Sequence, residues 1–399
     1  MPRPSNNPWL HRFAVLTAAA TLALIGIGGL VTSHEAGMSV PDWPTSYGYN
    51  MFLFPIARWW HAGNIFYEHS HRLFASGVGL LTTILAVWLW FKELRRWLRW
   101  LGAIAFFTVV LQGVLGGLRV VLFADQIGIF HAALAQLFFV LVCAIALFTS
   151  KWWREWEGRS AAWREGARVQ ASPAPAETQT RELPRAGSET VVPTMRGLFL
   201  FGTVLILFQL ILGATMRHQH AGLAIPDFPL AYGRLWPATD PASLARYNEQ
   251  RIEIITANPI TAFQIELQMA HRMVALLILA SVAFCVWKVR RSGVSRSGPA
   301  RAGQAGMLEQ PVLARLAWLW LGLILAQVAL GAFTIWSNKA ADVATMHVLV
   351  GALSLATGGM LCIIAFGTPA MKFKAPDWSP AASRPQPDVS LAPKTAAAQ

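Results

Sequence analysis

The chain has 399 residues, with 33 Lys and Arg against 20 Asp and Glu, and a formal net charge of +13. Only 13% of the residues are charged while 55% are apolar, 18 of them Trp. A soluble protein carries about a quarter charged residues, so this balance excludes disorder and disfavours an ordinary cytosolic enzyme.

Apolar runs of spanning length mark a polytopic membrane protein, and they are met in order along the chain. The first, 13–32, is too long for a signal peptide and has no small-residue cleavage site before His34 and Glu35, so it reads as a retained anchor. Further runs follow at 72–91, 101–118, 127–149, 197–216, 270–287, 312–333 and 343–366. The third is the weakest, because Arg119 and Asp125 leave only a short loop before the fourth. Between the fourth and fifth, 151–196 reads as a flexible linker, with Pro, Ala, Ser, Thr and Glu dense in its second half. The tail, 367–399, reads as disordered. Cys143, Cys285 and Cys362 are scattered within apolar runs and suggest neither a disulfide framework nor a zinc site.

Charge sets the orientation. The N-terminus, 92–100, 150–196, 288–315 and the tail together hold 24 of the 33 Lys and Arg, so both termini are expected to be cytoplasmic. The basic residues sit in short blocks between apolar runs rather than on a face interleaved with aromatics, so membrane lipid is the expected neighbour and nucleic acid is not.

The halves repeat. Gly28 to Gly37, the tetrapeptide Pro-Asp-Trp-Pro at 41–44 and Tyr47-Gly48 recur 185 residues later as Gly213 to Gly222, Pro-Asp-Phe-Pro at 226–229 and Tyr232-Gly233. His71-Arg72 aligns with His271-Arg272, Gln112 and Gly116 with Gln327 and Gly331, and His131 with His347. The expected fold is therefore all-α: eight transmembrane helices as two tandem four-helix bundles, 1–150 and 197–366.

His71, His131, His271 and His347 fall in the first turn or so of spans 2, 4, 6 and 8, all of which run inward from the outer face. Any one of them could be an interfacial histidine bonded to a carbonyl or water, and a proton relay is a further reading. Four at equivalent positions of a repeat shift the balance to cofactor ligation, since two neutral imidazoles across a four-helix bundle suit both axial sites of a haem iron. Arg72 and Arg272 directly follow candidate ligands; each suits either interfacial anchoring or pairing with anionic haem propionates. Arg119 and Arg217 are weaker candidates for that pairing. His69 points about 160° away from His71 on a helix and is not expected to be a ligand. Glu68 lies three residues before His71, whereas the second half has Gln268 there, which suggests acid/base or cation-stabilising chemistry in the first half and a resident cofactor in the second. Asp42 and Asp227 occur in both halves and suit turn chemistry.

Together Glu68, His71-Arg72, His131, His271-Arg272 and His347, in register with a repeat of eight spans, resemble haem A synthase, the haem O oxidising enzyme of cytochrome c oxidase assembly. The resemblance covers roughly 10–366. It implies an oxidoreductase that converts a ring methyl of haem O to a formyl group through a hydroxymethyl intermediate. His71 and His131 would engage the substrate haem iron, His271 and His347 would ligate a resident haem b that passes electrons onward, and Glu68 would be the functional carboxylate. Haem O synthase and cytochrome c oxidase assembly factors are the implied partners, with room for a homo-oligomer. Some members carry paired cysteines in the loop after span 1; the 33–70 loop here has none, so a thiol step there is not expected. No stretch resembles a mitochondrial transit peptide, so a bacterial inner membrane is the expected home, with the histidines toward its outer face. A di-haem cytochrome b-type electron carrier and a haem transporter or chaperone are the competing readings.

Overall fold

The structure, a computed structural model, describes residues 7–171, 191–250, 259–294 and 310–367. Its elements are α1 (Pro8–Ser33), a hairpin of β1 (Thr45–Ser46) and β2 (Tyr49–Asn50), α2 (Ile56–Trp59), α3 (Asn64–Lys92), α4 (Arg96–Val121), α5 (Asp125–Thr149), α6 (Lys151–Ala171), α7 (Val191–His218), α8 (Pro241–Glu249), α9 (Ala262–Val294), α10 (Gln310–Trp336) and α11 (Ala341–Gly367). Eight of these, α1, α3, α4, α5, α7, α9, α10 and α11, are long and apolar enough to cross a membrane. The expected all-α polytopic membrane protein is what is found. Hydrocarbon offers no hydrogen bonds, so each crossing segment must satisfy its own backbone as a helix.

Local chemistry agrees with that constraint. Asn7 caps α1 by accepting from the Trp9 and Leu10 amides at 3.1 and 3.3 Å, with Pro8 in the first turn where no amide hydrogen is needed. Buried hydroxyls turn back on their own helix: Thr21 donates to the Thr17 carbonyl at 2.8 Å and Thr82 to that of Val78 at 2.8 Å.

The helices α1, α3, α4 and α5 pack in a closed ring, as do α7, α9, α10 and α11, and the two rings meet where α1 and α5 face α7 and α11. Each ring has its own apolar core: Leu85, Leu89, Phe138 and Ile145 in the first, Phe199, Val282, Trp320 and Leu361 in the second. A third cluster of Ile25, Phe139, Ala352 and Ala356 fills the seam. Small residues let the seam close. A Cβ on Gly29 would lie 3.1 Å from Thr345, and one on Gly359 would lie 3.0 Å from Val140. The last span, α11, is the most buried, with 61% of its apolar stretch enclosed against 17% for α4.

Two features depart from the sequence reading. α3 and α9 begin at Asn64 and Ala262, eight residues before the apolar runs that announce them, because their first two turns mix polar residues (Glu68, Ser70; Gln264, Glu266, Gln268) with apolar ones and pack on loops rather than lipid. The histidines of these helices consequently lie two turns or more inside them, not in the first turn. Residues 151–171, read as the start of a flexible linker, form α6. Its Trp153 and Trp156 are buried in the second core, and Glu157 meets Arg95 at 3.2 Å. Charged neighbours hide this apolar face from a count of composition alone. The remainder of the linker, 172–190, and the tail beyond 367 lie outside the described residues.

Trp320 is fully buried against Gly202 and Gly358, and its indole N–H donates to the Ser354 carbonyl at 2.9 Å. Trp320→Ala should cost about 3–5 kcal/mol, whereas Leu319→Ala on the lipid-facing side should stay within about 1 kcal/mol. Thermal unfolding of the detergent-solubilised protein would rank the two, and equal losses would contradict this packing.

Candidate functional site

The four histidines sit at one end of the two rings. His71 is on α3, His131 on α5, His271 on α9 and His347 on α11. Each ring lies against a glycine of the preceding membrane helix. A Cβ at Gly28, Gly116, Gly213 or Gly331 would stand 3.1, 3.3, 3.3 or 3.5 Å from the Cε1 of His71, His131, His271 or His347 respectively. At Gly28 in particular a methyl group would force the imidazole to give way.

A glutamine one turn before the glycine locks three of the four. Gln112 donates to the main-chain carbonyl of His131 at 3.0 Å, Gln209 to that of His271 at 2.9 Å and Gln327 to that of His347 at 2.6 Å. The bond fixes the axial register of two helices, and the glycine fixes how closely the ring approaches. α1 has Leu24 where this pattern would place a glutamine, so His71 alone lacks the lock. The Gln209 and Gly213 pair was not singled out from sequence. Its signal, Gln-x-x-x-Gly on the span before three of the four histidines, is legible once the contacts are known.

The Nδ1 atoms of all four rings are buried and have no hydrogen-bond partner. His71 is within electrostatic reach of His131, and His271 of His347, so each bundle brings its two histidines together. Among the described residues no three His, Cys, Asp or Glu converge into a metal-binding group. Two half-buried imidazoles per bundle, their Nδ1 atoms uncommitted to the protein, are a donor set that fits axial ligation of an iron porphyrin. His69 goes elsewhere: it is buried beside Trp59 and Phe54, with its Nδ1 3.3 Å from the Ser46 hydroxyl.

Over each site a loop is clamped to the helix bearing the first histidine. Glu68 is 3% exposed; one oxygen accepts from the Val40 amide at 2.8 Å and the other from Arg72 at 2.7 Å. Arg72 also donates to the carbonyls of Val40, Asp42 and Thr45 at 2.7, 2.7 and 3.1 Å. In the second bundle Gln268, 2% exposed, accepts from the Ile225 amide at 2.7 Å, and Arg272 donates to the carbonyls of Asp227 and Leu230 at 2.7 and 2.8 Å. Both arginines, expected to be available to propionates, thus have their terminal nitrogens engaged with loop carbonyls.

The loops match in detail. Asp42 accepts from the amides of Tyr47 and Gly48 at 2.6 and 2.8 Å, and Asp227 from those of Tyr232 and Gly233 at 2.7 and 2.8 Å. Gly48 and Gly233 have φ of +79° and +72°, which only glycine adopts without cost. Asp42 and Asp227 are turn residues, as expected. Burial pushes the Asp42 carboxyl up, but the hydrogen bonds from Gly48, Thr45 and Tyr47 outweigh it and hold the group below its ordinary 3.8.

A family model described as cytochrome oxidase assembly protein matches residues 11–358. The chain is 25% identical to the haem A synthase of Shouchella clausii over 72% of its own length and 78% of the relative's. It is 24% identical to that of Halalkalibacterium halodurans over 89% and 97% of the two chains. It is 31% identical to that of Brucella abortus over 40% and 44%.

A depressed folded pKa for Asp42 means that its contribution to the loop is complete above 3.8 and is lost as pH falls through the lower folded value. Hydrogen exchange at the Tyr47 and Gly48 amides should show protection that declines below pH 3.8 in the native chain. In Asp42→Asn protection should be weaker throughout and flat in that range; an unchanged pH profile in the variant would contradict the assignment.

Proposed function

The chain belongs to the cytochrome oxidase assembly protein family that includes haem A synthases, and from that premise we propose that it oxidises a ring methyl of haem O to the formyl group of haem A. It is a membrane-bound oxidoreductase acting on a haem substrate. In the finer reading the first half, 1–150, takes haem O on His71 and His131 and carries it through a hydroxymethyl intermediate. The second half, 197–366, holds a resident haem b on His271 and His347. When bound, that haem would supply a one-electron relay for electrons removed from the substrate. The observation that carries the reading is the pair of half-buried histidines in each bundle, with buried, uncommitted Nδ1 atoms and a glycine seat.

The correspondence of clamps, turns and glycine seats supports tandem copies of one unit. Within that common scaffold Glu68 and Gln268 differ, and the difference divides the labour. The two Glu68 oxygens are held by the Val40 amide and by Arg72, which fixes the group in place. A fixed carboxylate beside His71 would stabilise positive charge developing on the substrate as its methyl carbon is oxidised. Arg72 and Arg272 serve the sites by tying the loops across them. A di-haem electron carrier would need the four histidines but no such asymmetry. The protein is assigned to a bacterial inner membrane, with both termini cytoplasmic, the histidines toward the outer face, and haem O synthase and oxidase assembly factors as neighbours.

Glu68→Gln should keep the Val40 bond, as Gln268 keeps its equivalent, and so retain haem. It should lower haem A formation by about 100-fold or more, measured by chromatography and mass spectrometry of haem extracted from membranes that contain a haem O source and lack their own haem A. Full product from this variant would refute the assigned role. His271→Ala should remove the second-half haem from the optical spectrum while leaving uptake of haem by the first half in place; loss of both signals in a folded variant would contradict independent sites.

A further inference from the structure

The arginines near the histidines are spent on protein acceptors, with one exception. Arg72 and Arg272 bind loop carbonyls, and Arg217 donates to the Gly29 carbonyl at 2.7 Å and to the Ser33 hydroxyl. Arg119, in the last turn of α4, is different. Its side chain is only 19% exposed, its Nε, like that of Arg272, is buried without a partner, and its nearest carboxylate, Asp125, is 3.7 Å away and itself 46% exposed. Among the described residues no acceptor takes a hydrogen bond from its guanidinium. Five N–H donors on a largely buried cation are costly to leave in that state.

Its position on α4 indicates what takes them. Gln112, Gly116 and Arg119 recur at helical spacing and share one face. Gln112 holds the His131 carbonyl and Gly116 touches the His131 ring. Arg119 therefore lies one turn beyond that ring, within electrostatic reach of both His71 and His131. From the other side it is closed in by Gly37, where a Cβ would stand 2.8 Å from Nη1. α10 repeats the face with Gln327, Gly331 and Thr334, but the Thr334 hydroxyl donates within its own helix to Leu330 at 2.8 Å. Beside the histidines, and among the described residues, the guanidinium that no acceptor binds is the one in the first bundle.

We propose that Arg119 binds a carboxylate of the substrate, one of the propionate groups on the edge of the haem, as a bidentate pair. The proposal rests on the reading that His71 and His131 face the substrate haem. Two axial imidazoles hold an iron porphyrin at its centre and leave it free to turn about the axis through the metal. A planar fork gripping one edge removes that freedom and decides which ring methyl is presented for oxidation. The enclosed setting strengthens the pair relative to water.

The test uses the full chain purified in detergent, titrated with iron protoporphyrin IX and with its dimethyl ester, and follows uptake by the Soret band beyond what the purified chain carries. The native chain should bind the free acid roughly tenfold or more tighter than the ester. In Arg119→Gln that preference should fall to about twofold or less while the spectrum of two axial imidazoles persists; Arg119→Lys should restore part of it. Equal affinity of the native chain for acid and ester, a comparison that needs no variant, would overturn the proposal, as would an undiminished preference in Arg119→Gln. Either result leaves the haem reading standing, whereas a native chain that takes up neither porphyrin overturns both.

Discussion

A histidine placed inside an apolar bundle must have its ring held in place, and the seat that does this governs the rest of the structure. The imidazole rests on a glycine of the span before it, and in three of four cases a glutamine one turn away grips the main-chain carbonyl of the same histidine. The two contacts act on different coordinates: the glycine sets how near the helices come, and the glutamine sets how far one has slid along the other. Neither involves the ring nitrogens. The scaffold thus defines where the rings stand while leaving their chemistry free, the arrangement expected of pre-organised ligands. His71 has the glycine without the glutamine, so its helix is held chiefly by the loop clamp of Glu68 and Arg72.

That clamp is built alike in the two bundles but for one residue. Glu68 and Gln268 accept from equivalent loop amides at 2.8 and 2.7 Å, and each sits four residues before an arginine bound to loop carbonyls. The structural work is common to both; only the carboxylate adds a negative charge. Arg119 is a second difference in the same half, a cation where the other bundle has Thr334. One half therefore carries fixed charges of both signs around its histidines.

Much of this was legible in the residues. Apolar length announced all eight spans because hydrocarbon thickness fixes it, and the recurrence at 185 residues announced the paired loops, since a turn Asp accepting two amides needs the same Pro, Tyr and Gly around it. Helix starts were less legible. The first two turns of α3 and α9 mix polar with apolar residues, and hydropathy does not record helices that continue beyond the lipid. The Trp residues of α6 were hidden by their charged neighbours. The partners of Arg72 and Arg272 could not be read at all: an arginine beside a ligand looks the same in sequence whether it reaches for an anion or for a carbonyl thirty residues away.

The burial of α11 bears on the order in which the molecule can be completed. It is the last of the eight spans in the chain, yet it lines the seam with α1 and α5 as well as closing its own ring. During synthesis the first four spans can close on one another, but the face of α1 and α5 that carries Ile25 and Phe139 must stay against lipid until the final span enters the bilayer. The two bundles are therefore not equivalent as folding units: the first waits, and the second is finished only when it docks. Until that moment the seam face of the first bundle has acyl chains rather than protein for neighbours.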